Sequence, residues 1–113
     1  MKNDEFAEYV LGDVLGDIPG VTSRKMFGGW GIYKDGTFFA LIADGGLYFK
    51  VDDSTRKNYE ALGSKPFVYD SRGKKVTMSY WLLPEEIIED KDVLFEWVEK
   101  SVAAGRNNKK TKK

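Results

Sequence analysis

The chain has 113 residues, of which 42% are hydrophobic and 14% aromatic, and its 18 cations balance its 18 anions. This composition suits one domain with a hydrophobic core and argues against global disorder. Because the chain has neither cysteine nor histidine, disulfides, thiolate nucleophiles and the usual zinc sites are excluded.

The first predicted element is a helix over residues 3–18, where apolar side chains recur every four positions from Phe6 to Ile18. Pro19-Gly20 stops this helix. Gly12 and Gly16 lie four residues apart on one face of it. We interpret both as sites of close packing against a sheet, because glycine otherwise weakens a helix.

Four β-strands are predicted next, because apolar and aromatic runs alternate with glycine-containing turns. They lie at residues 23–27, 30–34, 37–43 and 47–51. Asp35-Gly36 separates two of these runs and is typical of a two-residue hairpin turn. Since such tight turns pair neighbouring strands antiparallel, the four strands are predicted to form a meander.

A second helix is predicted over residues 53–62, capped by Asp53 or Ser54 and ended by Gly63. Two further strands follow at residues 65–69 and 75–81. The glycine-containing turn at residues 71–73 joins them.

The last helix is predicted to run from its cap, Asp90, to Ala104, with Gly105 as its end. Pro84 opens a short turn before it. The apolar residues of this helix recur at helical spacing and predict a buried stripe. The stripe consists of Val93, Leu94, Trp97, Val98, Ser101 and Val102.

The order helix, four strands, helix, two strands, helix predicts an α+β fold in two layers. We expect an antiparallel sheet of about six strands with the helices on one face. Alternation along the fourth strand turns Leu47 and Phe49 toward the helices and Tyr48 and Lys50 away from them. Further side chains expected to share or border that second face are Tyr33, Lys34 and Tyr69.

The balanced charge hides a basic C-terminal segment. Residues 1–104 hold 13 cations and 18 anions, a net charge of −5. We predict one domain over residues 1–104 and a disordered basic tail over residues 105–113. The tail is either a solubilising end or a basic arm for nucleic acid. Its cations are Arg106, Lys109, Lys110, Lys112 and Lys113.

Catalytic constellations are sparse in this sequence. The commonest general base, histidine, is missing. The carboxylate pairs Glu85-Glu86 and Glu89-Asp90 lie at predicted helix starts, where the helix dipole accounts for them, although sequence alone does not exclude a glycosidase pair. We expect no catalytic residue, no metal and no cofactor. With no recognisable signal peptide or membrane-spanning run, we expect a cytoplasmic protein without membrane contact.

The most distinctive string covers residues 26–33 and reads Met-Phe-Gly-Gly-Trp-Gly-Ile-Tyr. It is not a phosphate loop, because it runs from strand to strand and lacks the Gly-Lys-Ser/Thr ending. One interpretation is a turn in which Gly28 or Gly29 has a positive φ, while Gly31 admits a neighbouring backbone or large side chain. The other is a ligand contact made by the glycine amides with Arg24 and Lys25.

A family pattern is formed by the following residues of this chain: Arg24–Gly29, Gly31–Tyr33, Gly36, Phe39-Ala40, Leu47–Lys50, Met78–Trp81 and Leu83-Pro84. Together they resemble the N-terminal domain family of TfoX, a bacterial regulator of competence genes. The resemblance covers residues 5–103. It implies a two-layer α/β fold with an antiparallel sheet, no catalytic residues, and a role in regulating DNA uptake and competence transcription. Full-length regulators of this type carry a second helical domain, so the resemblance implies a stand-alone relative or an isolated domain.

The leading functional hypothesis is a regulatory module that binds a protein partner, such as part of the transcription machinery, as a monomer or homodimer. The sheet face that exposes aromatic area would form the contact, unless its rings only pack on one another. The candidate partner-binding residues are Arg24, Lys25, Tyr33, Tyr48 and Lys50.

Two other functions remain open. Nucleic acid could be bound directly by the tail together with Arg24, Lys25, Lys74 and Lys75, although the acidic body limits such binding to a weak, sequence-independent kind. A small-ligand or catalytic pocket near Gly28-Gly29 ranks last, because no suitable acid–base residue is in sight.

Overall fold

The computed structural model describes the backbone of residues 2–26, 29–43 and 45–111 and the side chains of residues 5–26, 29–43 and 45–106. The strands are β1 (Val21–Met26), β2 (Gly29–Lys34), β3 (Thr37–Ala43), β4 (Gly46–Lys50), β5 (Pro66–Ser71) and β6 (Lys74–Leu82). The helices are α1 (Lys2–Tyr9), α2 (Asp53–Ala61), α3 (Glu85–Ile88) and α4 (Lys91–Thr111). A π-helical turn, Val10–Val14, continues α1.

Over the described residues, the strands form one antiparallel sheet in the order β1-β2-β3-β4-β6-β5. Helix α4 packs on β3 and β4, and α1 packs on β2 and β3. The hydrophobic core lies between the sheet and the helices and includes Val10, Phe39, Phe49, Tyr59 and Leu94. The predicted α+β class and the order of elements are confirmed.

Two hairpins turn on pairs of residues with positive φ. Asp35 and Gly36 have φ values of 51° and 85°, and Arg72 and Gly73 have values of 54° and 82°. Two consecutive positive φ angles define the type I′ turn, whose twist matches that of the strands it joins. The hairpin predicted at Asp35-Gly36 is therefore confirmed.

A β-bulge shapes both faces of the sheet. The pairing of β2 with β3 shifts between Ile32 and Tyr33, so that Tyr33 pairs with Phe38 and the register passes over Phe39. A bulge of this kind sets two residues of one strand against one of its neighbour. The Phe39 ring enters the core, where its centroid lies 5.6 Å from that of Phe49, while Phe38 lies on the opposite face.

The first helical segment is shorter than predicted. Helix α1 ends at Tyr9, the π-helical turn ends at Val14, and residues 15–20 form turns and bends. A Cβ on Gly12 would meet no atom within 4 Å, whereas a Cβ on Gly16 would collide with the carbonyl oxygen of Gly12. The interpretation that both glycines pack against a sheet is wrong. Gly12 lies in the wide π turn, and Gly16 lets the chain leave that turn.

Helix α2 is capped one residue earlier than predicted. The carboxylate of Asp52 accepts hydrogen bonds from the backbone N–H groups of Ser54 and Thr55 at 3.0 and 2.9 Å. The Thr55 hydroxyl accepts one from the Asp52 N–H at 2.9 Å, which completes a capping box. Gly63, with a φ of 76°, follows the helix as expected.

Helix α4 begins as predicted and extends past its predicted end. The Asp90 carboxylate accepts a hydrogen bond from the Val93 N–H at 3.4 Å. The helical backbone continues beyond Gly105 to Thr111, so the prediction that Gly105 ends the helix is wrong. Of the predicted tail over residues 105–113, the last two residues, Lys112 and Lys113, lie outside the described residues. That this segment is separate from the domain stays a prediction.

Gly105 has a reason to be glycine other than ending a helix. It is not among the residues with positive φ. A Cβ at this position would lie 2.9 Å from the carbonyl oxygen of Phe38 and 3.1 Å from Cγ2 of Thr37. The glycine therefore lets α4 approach the start of β3 more closely than any side chain would allow.

Candidate partner-binding face

The face of the sheet opposite the core carries a continuous set of apolar and aromatic side chains. Directly opposite residues of paired strands point to the same side of a sheet. Leu41 pairs with Tyr48, and Lys50 pairs with Tyr80, so these residues share one face, which we call the open face. Its apolar and aromatic members are Met26, Tyr33, Phe38, Leu41, Tyr48, Phe67, Tyr69, Val76, Met78, Tyr80 and Leu82.

The rings of the open face contact one another and still reach solvent. The Phe38 and Tyr33 centroids are 5.1 Å apart, and the Phe67 and Tyr48 centroids are also 5.1 Å apart. Tyr69 keeps 43% of its surface exposed. Mutual packing of the rings and exposure of aromatic area, which the sequence offers as alternatives, therefore occur together.

A hollow of about 370 Å³ lies in the open face, lined by strand residues from both edges of the sheet. Met26 of β1 and Tyr69 of β5 both border it, although these are the two edge strands. The sheet therefore curls around the hollow. Phe38 and Leu41 also line it, as does Met78.

Sequence reasoning missed the residues of β5 and β6 that complete this hollow, Phe67 and Met78. Their alternation along the strand places them on a face, but no local signal shows that the sheet curls far enough to bring β5 near β1. Residue Gly29 also lines the hollow, which therefore lies beside the Gly28-Gly29 turn, where the sequence left a pocket open as the last-ranked hypothesis.

The glycines of this region allow neighbouring atoms to lie close to the backbone. A Cβ on Gly31 would lie 2.7 Å from Cε of Met26 and 3.1 Å from Cε1 of Phe38, so the prediction that Gly31 admits a large side chain is confirmed. A Cβ on Gly29 would collide with the carbonyl oxygen of Ile42. Of the two glycines of which one is expected to have a positive φ, Gly29 does not have one. Gly28 lies outside the described residues.

The four body cations proposed for nucleic acid do not share a surface. Arg24 and Lys74 lie on the open face, because they pair with Gly31 and Ser71 of that face. Lys25 pairs with Trp30 on the opposite side and lies 5.7 Å from the centroid of its ring.

Lys75 also lies on the side away from the open face, opposite Asp70 of β5. Its Nζ forms an ion pair with the Asp70 carboxylate at 3.6 Å. Among the tail cations, Arg106, Lys109 and Lys110 belong to the helical backbone of α4.

Lys50 and Tyr80 form a buried pair at one end of the open face. The Lys50 ammonium donates a hydrogen bond to Oγ of Ser79 at 2.6 Å and lies 5.1 Å from the centroid of the Tyr80 ring. Burial raises the pKa of Tyr80 to about 12, and the nearby Tyr33 adds to the shift. Lys50 and Tyr80 are both buried, so this end of the open face offers little of their side-chain surface to a partner.

Lys34 does not belong to the open face. Its Nζ lies 3.8 Å from the Glu99 carboxylate of α4 and 3.5 Å from that of Asp35. The expectation that Lys34 shares or borders the face of Tyr48 is therefore wrong. The regular alternation along β2 alone places the adjacent residues Tyr33 and Lys34 on opposite faces.

The part of the chain that the structure describes contains neither a cluster of metal-binding side chains nor a membrane-spanning helix. No group of three or more acidic side chains is placed to hold a metal ion there. In the same part of the chain, no helix combines the length and the apolar character that crossing a membrane requires.

These features define a two-layer α+β domain with helices on one side of its sheet and an open aromatic face on the other. The chain belongs to the TfoX N-terminal domain family, whose model matches residues 13–105. The match includes every strand of the sheet and the Gly105 contact. The family resemblance found in the sequence is confirmed.

One curated relative is the DNA transformation protein TfoX1 of Aliivibrio fischeri (strain ATCC 700601 / ES114). This chain is 27% identical to it over 90 residues. The similar segment covers 80% of this chain and 43% of the relative. The matched segment therefore spans less than half the length of that relative.

Proposed function

We propose that this chain is a non-enzymatic interaction domain that binds a protein partner through its open face and acts in the regulation of DNA-uptake genes. The observation that carries the proposal is the open face itself, where exposed aromatic and apolar side chains surround a hollow. Surfaces of this kind on small domains mark interaction sites. The name of the relative, DNA transformation protein TfoX1, supports the biological setting.

The regulatory part of the proposal is tested in the bacterium that encodes the chain. Deleting the gene should lower both the transcript levels of DNA-uptake genes and the frequency of transformation, and the wild-type gene should restore both. If the deletion changes neither quantity, the regulatory role is refuted.

The role of the open face is tested with two matched variants. Tyr69→Ser removes an exposed ring from the open face, and Phe95→Ser removes an equally exposed ring, 49% accessible, from α4. We expect Tyr69→Ser to fail to restore transcription and Phe95→Ser to restore it fully. Equal restoration by both variants would contradict contact through the open face. Immunoblots check that both variants accumulate to wild-type levels.

Direct nucleic-acid binding is the second candidate function. The observation that favours it is the continuation of α4 to Thr111, which carries Arg106, Lys109 and Lys110 on a helical backbone. The separation of Arg24 and Lys74 from Lys25 and Lys75 weighs against a body surface for nucleic acid, since such surfaces cluster their cations on one side.

A further inference from the structure

The chemistry of the open face points to one kind of partner segment. Resting on the proposed function, we propose that the open face binds an acidic peptide segment of the partner and takes one large apolar side chain of that segment into the hollow.

The hollow explains the apolar anchor. Its volume of about 370 Å³ and its lining by side chains such as Met26, Phe38 and Met78 suit one bulky side chain. The site is concave because residues of both β1 and β5 form its walls. Large apolar or aromatic side chains buried in such pockets supply most of the binding free energy of protein interfaces.

The charges of the open face explain the acidic character of the segment. The charged side chains at described strand positions on this face are all cations: Arg24, Lys50 and Lys74. Residues 1–104 as a whole carry a net charge of −5, so the face is an exception to its surroundings. Complementary potentials steer partners and exclude those of like charge.

Two of these cations are available to a partner. Arg24 and Lys74 are exposed, and neither forms an ion pair with another described residue. Arg24 lies two residues from Met26, or about 7 Å along β1, and Lys74 lies four residues from Met78, or about 13 Å along β6. The cations thus lie on different sides of the hollow, so carboxylates a few residues before and after the anchor would reach them.

A peptide suits this surface better than a nucleic-acid strand does. Single strands are bound in continuous positive grooves with rings on which the bases stack. Here the rings pack against one another, with interplanar angles of 31° for Tyr33 and Phe38 and 63° for Tyr48 and Phe67. They do not form a row of parallel ring faces on which bases could stack. Two accessible cations on a net acidic body do not make such a groove.

The test uses the full chain and fluorescein-labelled peptides in an anisotropy titration. The probe is a short peptide with a central phenylalanine flanked by aspartates. One control peptide replaces phenylalanine with alanine, and the other replaces the aspartates with lysines. We expect saturable binding of the probe, with about tenfold weaker binding for either control.

Variants of the chain place the peptide on the open face. The double variant Arg24→Glu/Lys74→Glu should weaken binding of the probe by about tenfold or more. The matched control, Lys25→Glu/Lys75→Glu, changes the neighbouring cations on the other side of the sheet and should bind the probe like the wild type. Ala43→Phe, which fills the hollow at one of its lining residues, should also abolish binding while thermal melts confirm the fold.

Three outcomes overturn the proposal. The first is equal binding of the acidic and basic peptides, and the second is equal weakening of probe binding by the two double variants. The third is a labelled single-stranded oligonucleotide that binds the wild type more tightly than the probe does and no longer binds the Arg24→Glu/Lys74→Glu variant. Failure of this proposal is distinguishable from that of the proposed function. If Tyr69→Ser fails to restore transcription of the DNA-uptake genes but the acidic probe does not bind, only the proposed chemistry of the partner segment is wrong. If the probe binds as expected but gene deletion leaves transcription unchanged, only the regulatory role is wrong.

Discussion

The hydroxyl oxygen of Ser101 on α4 lies 2.8 Å from the carbonyl oxygen of Phe39 on β3 and 2.9 Å from that of Lys50 on β4. Phe39 is the bulge residue that the register with β2 passes over, and Lys50 is the last residue of β4. The pairing between strands is therefore interrupted at Phe39, and β4 ends at Lys50. The single hydroxyl hydrogen of Ser101 is shared between these two carbonyl oxygens. Ser101 therefore forms a buried polar contact between the last helix and the sheet.

We predict that Ser101→Ala lowers the free energy of unfolding by about 1–3 kcal/mol, because it leaves buried carbonyl groups without their donor. Urea denaturation measures the change. Ser23→Ala, at an exposed position of β1, is the control and should shift the free energy by less than about 0.5 kcal/mol. Equal effects of the two substitutions would show that the Ser101 hydrogen bonds contribute nothing specific.

Two helical glycines should respond in opposite directions to alanine. Gly105→Ala places a Cβ against the Phe38 carbonyl and should destabilise the domain by about 1–3 kcal/mol despite the better helix propensity of alanine. Gly12→Ala meets open space and should be neutral or stabilising by up to about 1 kcal/mol. Thermal melts of both variants test this. A stabilising Gly105→Ala would show that α4 does not approach β3 closely in solution.

The cap of α2 should make stability depend on acidic pH. The backbone hydrogen bond from Thr55 holds the pKa of Asp52 below its ordinary value of 3.8, and those from Ser54 and the Thr55 hydroxyl add to this effect. Because the folded-state pKa is the lower one, the carboxylate stabilises the fold above pH 3.8, and this stabilisation is lost as the pH falls through the folded-state pKa.

The measurement compares wild type with Asp52→Asn in urea melts between pH 7 and acid. At pH 7 the variant should be less stable, by a fraction of the roughly 1 kcal/mol typical of a lost cap. The difference should shrink as the pH falls below about 4. Asp53→Asn, which leaves the cap in place, is the control. A difference that does not depend on pH would contradict a role for the ionised carboxylate.

The basic segment should account for any binding of duplex DNA. In the full chain, such binding should be weak and insensitive to sequence, and its logarithm should fall with the logarithm of salt concentration with a slope of about −3 to −5. Replacing the five tail cations, Arg106, Lys109, Lys110, Lys112 and Lys113, with glutamine should abolish it. Anisotropy titrations on two unrelated duplexes measure both quantities. Binding that survives these replacements, or that prefers one duplex, would favour a direct DNA reader.

Local signals predicted much of this fold. The Asp35-Gly36 turn needs only its own two residues to define a hairpin, and the buried stripe of α4 from Leu94 to Val102 follows from helical spacing. The alternation of β4 correctly separated Phe49, in the core, from Tyr48 on the open face.

The remaining features depend on contacts between distant segments. The function of Gly105 depends on its distance to Phe38, which lies far away in sequence and close in space. From the sequence alone, a glycine after a buried stripe predicts a helix end instead. The bulge at Phe39 depends on the register of β2 against β3 and on the packing of the Phe39 ring in the core. The hollow requires both the strand order and the curl of the sheet, and it depends on Phe67 and Met78 lying across from Met26.

Phe38 is a single residue with contacts on both sides of the domain. Its carbonyl oxygen lies against Gly105, on the helical side, and its ring lines the hollow on the other side. A shift of α4 at Gly105 would therefore press directly on the strand that holds the floor of the hollow. The contact with α4 and the lining of the hollow therefore meet at one residue, so a change in the Phe38 backbone would alter the fit of the last helix and the shape of the hollow together.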